Sequence, residues 1–306
     1  QKILKDIKYF TDKVYYLPKK EIVTYDYVAE SKDLPYERIE TLNKMQEMRT
    51  GVVITTIEAV LQKMISKKAL YKNTLNFKVG DSENLETIKQ KLVELGYVRC
   101  DLIEGRGQFS VRGGIVDISV NEKEGVRLEF WGDEIDSIRY FNVVSQRSTE
   151  NIDKITIYPA HEYILESNIE DVITNIRNTI YSEKLQETIE QDIELIKAGN
   201  YISKIDRYLN SFYTEQDTIL DYITDKYLVF LDEQSKIEQR TINVNKDSQN
   251  IIQLLIDKEK IVPEALKNIC NFNQFEDKLN DKQIIYIEKL DNEVKIQAEK
   301  YKWIYK

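Results

Sequence analysis

At 306 residues the chain exceeds one typical domain, and its 42% apolar and 32% charged content, with only four prolines and ten glycines, excludes a disordered or low-complexity protein. A net charge of -9 and a sequence pI near 5.1 exclude a surface that is basic all over and binds nucleic acid by bulk electrostatics. The longest apolar runs, 227–231 and 284–287, fall far short of the ~20 residues of a membrane-spanning helix. Cys100 and Cys270 lie far apart and form neither a metal spacing nor a disulfide framework, which fits a reducing, cytoplasmic setting. The opening at Gln1, with no basic stretch followed by an apolar run, reads as a truncated start rather than a targeting signal.

In chain order, residues 37–48 place Ile39, Leu42, Met45 and Met48 at helical spacing. GVVIT (51–55) predicts a short buried strand, and Ile57, Val60, Leu61 and Met64 restore the helical period. Helix, strand, helix in this order predicts an α/β unit on a parallel sheet. Ser82 is the expected N-cap of a helix with Leu85, Ile88, Leu92, Val93 and Leu95 along one stripe and Gly96 at its exit. From there to 141 the pattern is strands punctuated by glycine, at 98–103, 107–112, 115–120, 126–131 and 134–141, the last two joined through Gly132 and Asp133. After Pro159 a helical period runs to Gly199, followed by a strand at 227–231, a helix around 248–256 and a buried strand at 284–287. The expected fold class is α/β: one domain in two pieces, 1–80 and 160–306, interrupted by a small α+β antiparallel module at 81–159.

Phe230, Leu231, Asp232 and Glu233 form an apolar strand running into two acids, the arrangement by which P-loop ATPases hold magnesium. Its partner, a glycine-rich loop ending in Lys-Ser or Lys-Thr, does not occur: Gly105, Gly107, Gly113 and Gly114 precede neither. His161 is the only histidine, so there is no Ser-His-Asp or Cys-His arrangement and no histidine-based metal site, and the abundant carboxylates are spread along amphipathic helices. No catalytic residue and no metal site is expected.

In the strand at 107–112, residues two apart share a face, so Phe109 and Val111 point one way and Ser110 and Arg112 the other. Arg99, Arg106 and Arg112 put several guanidinium groups on a small sheet, where they suit carboxylates on a partner protein. Internal pairing with Glu104, Glu129, Asp133, Glu134 or Asp136 is the structural alternative, and composition leaves both open.

GYVRCDLIEGRGQFSVRGGIVDIS (96–119), VRLEFWGDEIDSIRYFNVVSQRS (126–148) and IYPAHEY (157–163) together resemble the second domain of bacterial transcription-repair coupling factors (Mfd). In a related form the block occurs in the excision-repair subunit UvrB, where the module docks UvrA. DLPYERIETLNKM (33–45), GVVITTIEAVL (51–61) and ILDYITDKYLVFLDEQSKI (219–237) resemble the flanking domain, so the resemblance covers nearly the whole chain and is strongest at 96–163. Measured against UvrB, the segment 20–40 is too short for the tyrosine-rich hairpin that threads DNA. The acidic box reads Asp232-Glu233-Gln234-Ser235 without its histidine, and IIYI runs into Glu288-Lys289-Leu290 where Ser-Ala-Thr would stand.

The resemblance therefore implies the amino-terminal UvrB-like region of a coupling factor: a degenerate helicase-type (RecA-like) parallel-sheet domain with Asp232 and Glu233 as a vestigial acidic box. It implies UvrA as partner through 81–159, at Arg99, Phe109 and Arg112, with Ser110 where UvrB carries another arginine. It implies no cofactor for this chain, and ATP, magnesium, RNA polymerase and DNA for other domains of a full-length translocase that releases stalled polymerase and recruits excision repair. A UvrB truncated at its P-loop, which would be an active ATPase, and a plain DNA-binding module are the rival readings.

Overall fold

Two tight turns organise the middle of the chain, and each follows from a glycine. Arg112 pairs with Ile115 across Gly113 and Gly114, and Trp131 with Glu134 across Gly132 and Asp133. Gly113 (φ 60°) and Gly132 (φ 64°) take the left-handed conformation that the first position of such hairpin turns requires and that a Cβ disfavours. The computed structural model describes residues 2–20, 33–164, 168–178, 183–197, 208–213, 215–259, 268–290 and 293–298.

The turns belong to a six-stranded sheet in the order Ser148–Ile152, Glu134–Asn142, Glu124–Trp131, Ile115–Ser119, Gln108–Arg112, Val98–Arg99. All neighbours are antiparallel except the last pair. Alternation gives the sheet an apolar face of Phe109, Val116, Ile118, Val126, Leu128 and Ile138, on which the helix Leu85–Glu94 lays Ile88 and Leu92. The N-cap is Asn84 rather than Ser82: the Asn84 side chain accepts from the N–H groups of Glu86 and Thr87, while Ser82 bridges to Glu134. Val93, expected in the stripe, faces solvent. The strand expected at 98–103 is only Val98–Arg99, because the chain then leaves the sheet as a loop held by Gln108, whose side-chain oxygen accepts from the N–H groups of Glu104 and Gly105. Leu75–Lys78 and Lys154–Ile157 pair antiparallel and send Phe77 and Ile157 into the same core, so this core draws on residues before 81.

Around the module, the helix Leu34–Glu47 buries Ile39, Leu42 and Met45 beside the parallel pair Val14–Leu17 and Val52–Thr55. The helical stretch expected at 57–64 is a single turn, Ile57–Val60, after which Met64–Ile65 pairs with Gln216–Asp217. The period after 159 forms two helices, Ile169–Arg177 and Glu183–Lys197, and its expected end at Gly199 lies outside the described residues. Leu228–Asp232 pairs parallel with Gln283–Leu290, which pairs antiparallel with Glu293–Ala298. The helix Gln234–Asp257 is much longer than the 248–256 stretch that predicted it. The fold is thus mixed α/β with several small, mostly antiparallel sheets. The parallel pairs at 14–17/52–55 and 228–232/283–290 lie in separate sheets, and no single parallel sheet joins them among the described residues. The strands expected to be buried are only half-buried, at Val52–Thr55 and at 283–287: an apolar run predicts a strand but not what covers it. No helix among the described residues is long and apolar enough to cross a membrane.

Where the chain leaves the module, Glu162 is fully buried between Arg38, whose Nε lies 2.5 Å from Oε1, and Lys20, whose Nζ lies 3.1 Å from Oε2. Arg38 also donates to the carbonyl of Pro18, and the carbonyl of Glu162 accepts from the Tyr213 hydroxyl. Burial pushes the Glu162 carboxyl up, but the two cations outweigh it and hold it below its ordinary value.

Candidate docking face

A two-residue turn fixes register. With Arg112 opposite Ile115, Ser110 must oppose Asp117, and the rows continue as Ser110, Asp117, Arg127, Arg139 and as Arg112, Ile115, Glu129, Ser137. Both rows lie on the face away from the helix Leu85–Glu94. Asp117 is almost inaccessible, and two arginines share it. Arg127 holds it with both prongs, Nε to Oδ1 at 2.7 Å and Nη2 to Oδ2 at 2.9 Å, and lies over the Phe141 ring. Arg112 reaches it with one bond, Nη2 to Oδ2 at 2.9 Å. The side chain of Arg127 is 16% exposed and that of Arg112 50%. Further along, Arg139 pairs with Glu129, which also accepts from the Ser137 hydroxyl.

Three guanidinium groups thus face two carboxylates, and the surplus charge resides on Arg112, which spends one of its five N–H donors on a carboxylate already taken by Arg127. Hydrogen bonds to Asp117 push the Arg127 guanidinium further above its ordinary value and mark it as the committed partner. The internal pairing considered for Arg112 is therefore real but falls on Asp117, which was not among the five acids proposed. Arg127→Ala is expected to cost about 2 kcal/mol and Arg112→Ala no more than about 0.5–1 kcal/mol, compared by urea midpoints at constant slope.

The other expected site residues are distributed differently. Phe109 is fully buried in the module core, so it offers no contact to a partner; alternation turns it inward. Arg99 is exposed with no ion pair among the described residues. Its register with Phe109 places it on the helix side, where its charge adds to that of Lys89, whose hydrogen bond is the first cause lowering the carboxyl of Glu86. Arg99 and Arg112 are therefore not brought onto one face. Ser110 is buried and donates to the carbonyl of Asp101, under a loop whose Ile103 packs on Phe141 and Val143. Arg106 turns away from the sheet toward Glu40 (3.4 Å) and Glu37 (3.7 Å) on the helix Leu34–Glu47. Asp117 and Arg127 were missed; a two-residue turn at Gly113 and Gly114 is the signal that would have set Asp117 opposite Ser110.

Asp232 ends the strand Leu228–Asp232 and Glu233 follows it as the cap of the next helix. The Glu233 carboxylate takes Lys236 at 2.6 Å, its N–H donates to the carbonyl of Ile287, and it enters the helix Gln234–Asp257 at φ 61°. No group of three or more metal-ligating side chains occurs among the described residues.

Residues 75–163 match the family described as UvrB interaction domain. The chain is 29% identical over 259 residues to a transcription-repair-coupling factor of Bacillus subtilis, covering 80% of this chain and 22% of that protein. It is 26% identical over 312 residues to one of Staphylococcus haemolyticus, covering 97% and 26%, and 29% identical over 273 residues to one of Staphylococcus aureus, covering 84% and 23%. The chain spans about a quarter of the length of these relatives. Residues 75–163 are thus a UvrB interaction domain, and the chain as a whole is the counterpart of the amino-terminal, UvrB-like region of the transcription-repair-coupling factors.

Proposed function

We propose that the chain recruits UvrA, and with it nucleotide excision repair, through the open face of its six-stranded sheet. One observation carries this reading: Arg112 is a half-exposed guanidinium whose neighbouring carboxylate is already held by Arg127, so most of its donor fork is unspent. A partner carboxylate completes that fork. The energetic gain comes from the surplus charge, while Arg127 and Asp117 hold the strand pair rigid beneath it. Arg99, exposed on the edge strand, is a second contact reached around the sheet edge, and Phe109 serves by packing its strand against the core.

The module, 81–159 in its expected bounds and 75–163 by the family match, interrupts a degenerate helicase-type domain of which the two separate parallel strand pairs are the remnants. This chain acts without catalysis or cofactor of its own, in the cytoplasm. ATP, magnesium, DNA and RNA polymerase belong to the remainder of a full-length translocase that releases stalled polymerase. The deciding experiment is titration of UvrA with this chain and with its Arg99→Ala and Arg112→Ala variants. Arg112→Ala is expected to weaken binding about tenfold, with a steeper loss as salt is raised for the unmodified chain than for the variant. Undiminished binding by both variants refutes the site, and no binding by the unmodified chain refutes the role. An active UvrB-type ATPase would instead show magnesium-dependent ATP turnover in a chain extended at its amino terminus.

A further inference from the structure

Trp131 is 84% exposed, an unusual position for the largest apolar side chain in the sequence. Its place follows from the strand. After the bulge between Glu129 and Phe130, Phe130 and its partner Ile135 turn into the core, so Trp131 turns onto the open face, two residues beyond Glu129. The neighbouring turn leaves it bare. Gly114 lies against Phe130, whose N–H donates to its carbonyl at 2.8 Å, and a Cβ at Gly114 would come within 2.9 Å of the Phe130 oxygen. Gly113 extends past it into open space, where an added Cβ would meet nothing within 4 Å. Neither glycine can lay a side chain over the indole. Two strands across and two residues along, Arg112 and Trp131 stand on the order of 12 Å apart on one face, within the span of a single protein contact.

We propose that Trp131 is a second anchor of this face, seated in an apolar pocket of the UvrA partner next to the carboxylate that takes Arg112. The inference rests on the docking reading above. Charge specifies the pocket: Asp133, Glu134 and Asp136 are exposed around the tryptophan, whereas the surplus cation is at Arg112. The matching surface therefore has a carboxylate at one end and an apolar pocket with a basic rim at the other, and this polarity sets the orientation of docking. Tryptophan and arginine are the residue types that dominate binding when desolvated at an interface.

The test is titration of UvrA with the unmodified chain, Trp131→Ala, Trp131→Phe, Arg112→Ala and Val144→Ala, the last an equally exposed apolar residue at the opposite end of the sheet. Trp131→Ala should weaken binding about thirtyfold, Trp131→Phe about threefold, and Val144→Ala not at all. The Trp131 and Val144 variants should melt with the unmodified chain, since neither side chain is buried. Full affinity in Trp131→Ala alongside a loss in Arg112→Ala overturns the tryptophan anchor and leaves the docking reading standing. Equal losses in Trp131→Ala and Val144→Ala also overturn it, as a general effect of apolar surface. Failure of the unmodified chain to bind defeats the docking reading itself.

Discussion

Alanine in place of Glu162 is expected to lower stability by about 3–5 kcal/mol, read as a fall in the urea midpoint. The side chain is 1% exposed and faces Arg38, itself 1% exposed, so its removal strands a guanidinium in a dry site with Lys20 beside it. One Arg38 nitrogen, Nη2, has no hydrogen-bond partner even with Glu162 in place, so removing the carboxylate leaves the guanidinium with fewer acceptors still. Glu162→Gln keeps the shape and an acceptor oxygen but not the charge, and should fall between the unmodified chain and Glu162→Ala. Combining Arg38→Met with Glu162→Leu should recover part of the loss, because an apolar pair of similar volume needs no desolvation of ions. The consequence reaches the docking face. Glu162 sits at the end of the UvrB interaction domain, whereas Arg38 and Lys20 come from the part of the chain that precedes it. The three charges hold the module's exit in one direction, so Glu162→Ala should also loosen the module against the rest of the chain, measurable as faster hydrogen exchange in Leu34–Glu47 and at 160–164.

The module was largely legible because its signals are local. Glycines marked the turns, and alternation set Phe109 and Arg112 on opposite faces, as the structure has them, although the resemblance then gave Phe109 to the partner and the core takes it. Ser82 misled because the helix starts two residues later than its position implies, and Asn84 caps it through the N–H groups of Glu86 and Thr87, which an N-cap at 82 would not reach. The strand at 98–103 failed after two residues because the side chain of Gln108 captures the backbone of the following loop, an interaction that no periodicity encodes. The same limit explains why Arg106, expected on the sheet, pairs with the helix Leu34–Glu47, and why the parallel strands were assigned to one sheet when among the described residues they lie in two. Lys20, Arg38 and Glu162 meet across more than a hundred residues of sequence. The local sequence carries no trace of that meeting: Lys20 stands between Lys19 and Glu21, and Arg38 follows Glu37.

Acid should destabilise the chain through His161. Burial pushes this imidazole down from 6.5 to about 4, so between those values the unfolded chain binds a proton that the folded chain refuses. Stability is therefore complete above pH 6.5 and falls as pH drops toward 4, by about 3 kcal/mol in all. The Glu162 contribution is lost only below that carboxyl's ordinary value of 4.5, so it adds at the lower end of the same range. Geometry explains the refusal. Nδ1 accepts the N–H of Tyr163 at 3.2 Å, and a second ring proton would remove that acceptor. The other nitrogen faces Gly96, where a Cβ would stand 2.3 Å from Nε2, so no water fits between ring and backbone. His161→Phe should flatten the dependence of the urea midpoint between pH 6.5 and 4.5 and leave the drop below 4.5 in place; an unchanged slope would sink the assignment. Gly96→Ala should cost several kcal/mol at every pH, since it meets both the ring and a backbone at φ 85°. Because Ala160 donates to the carbonyl of Leu95 at 2.8 Å, the histidine is wedged where the module's helix and its exit strand are tied together. Its protonation therefore loosens the same junction that Glu162 clamps from the other side, and the two variants should converge on one acid-sensitive unit.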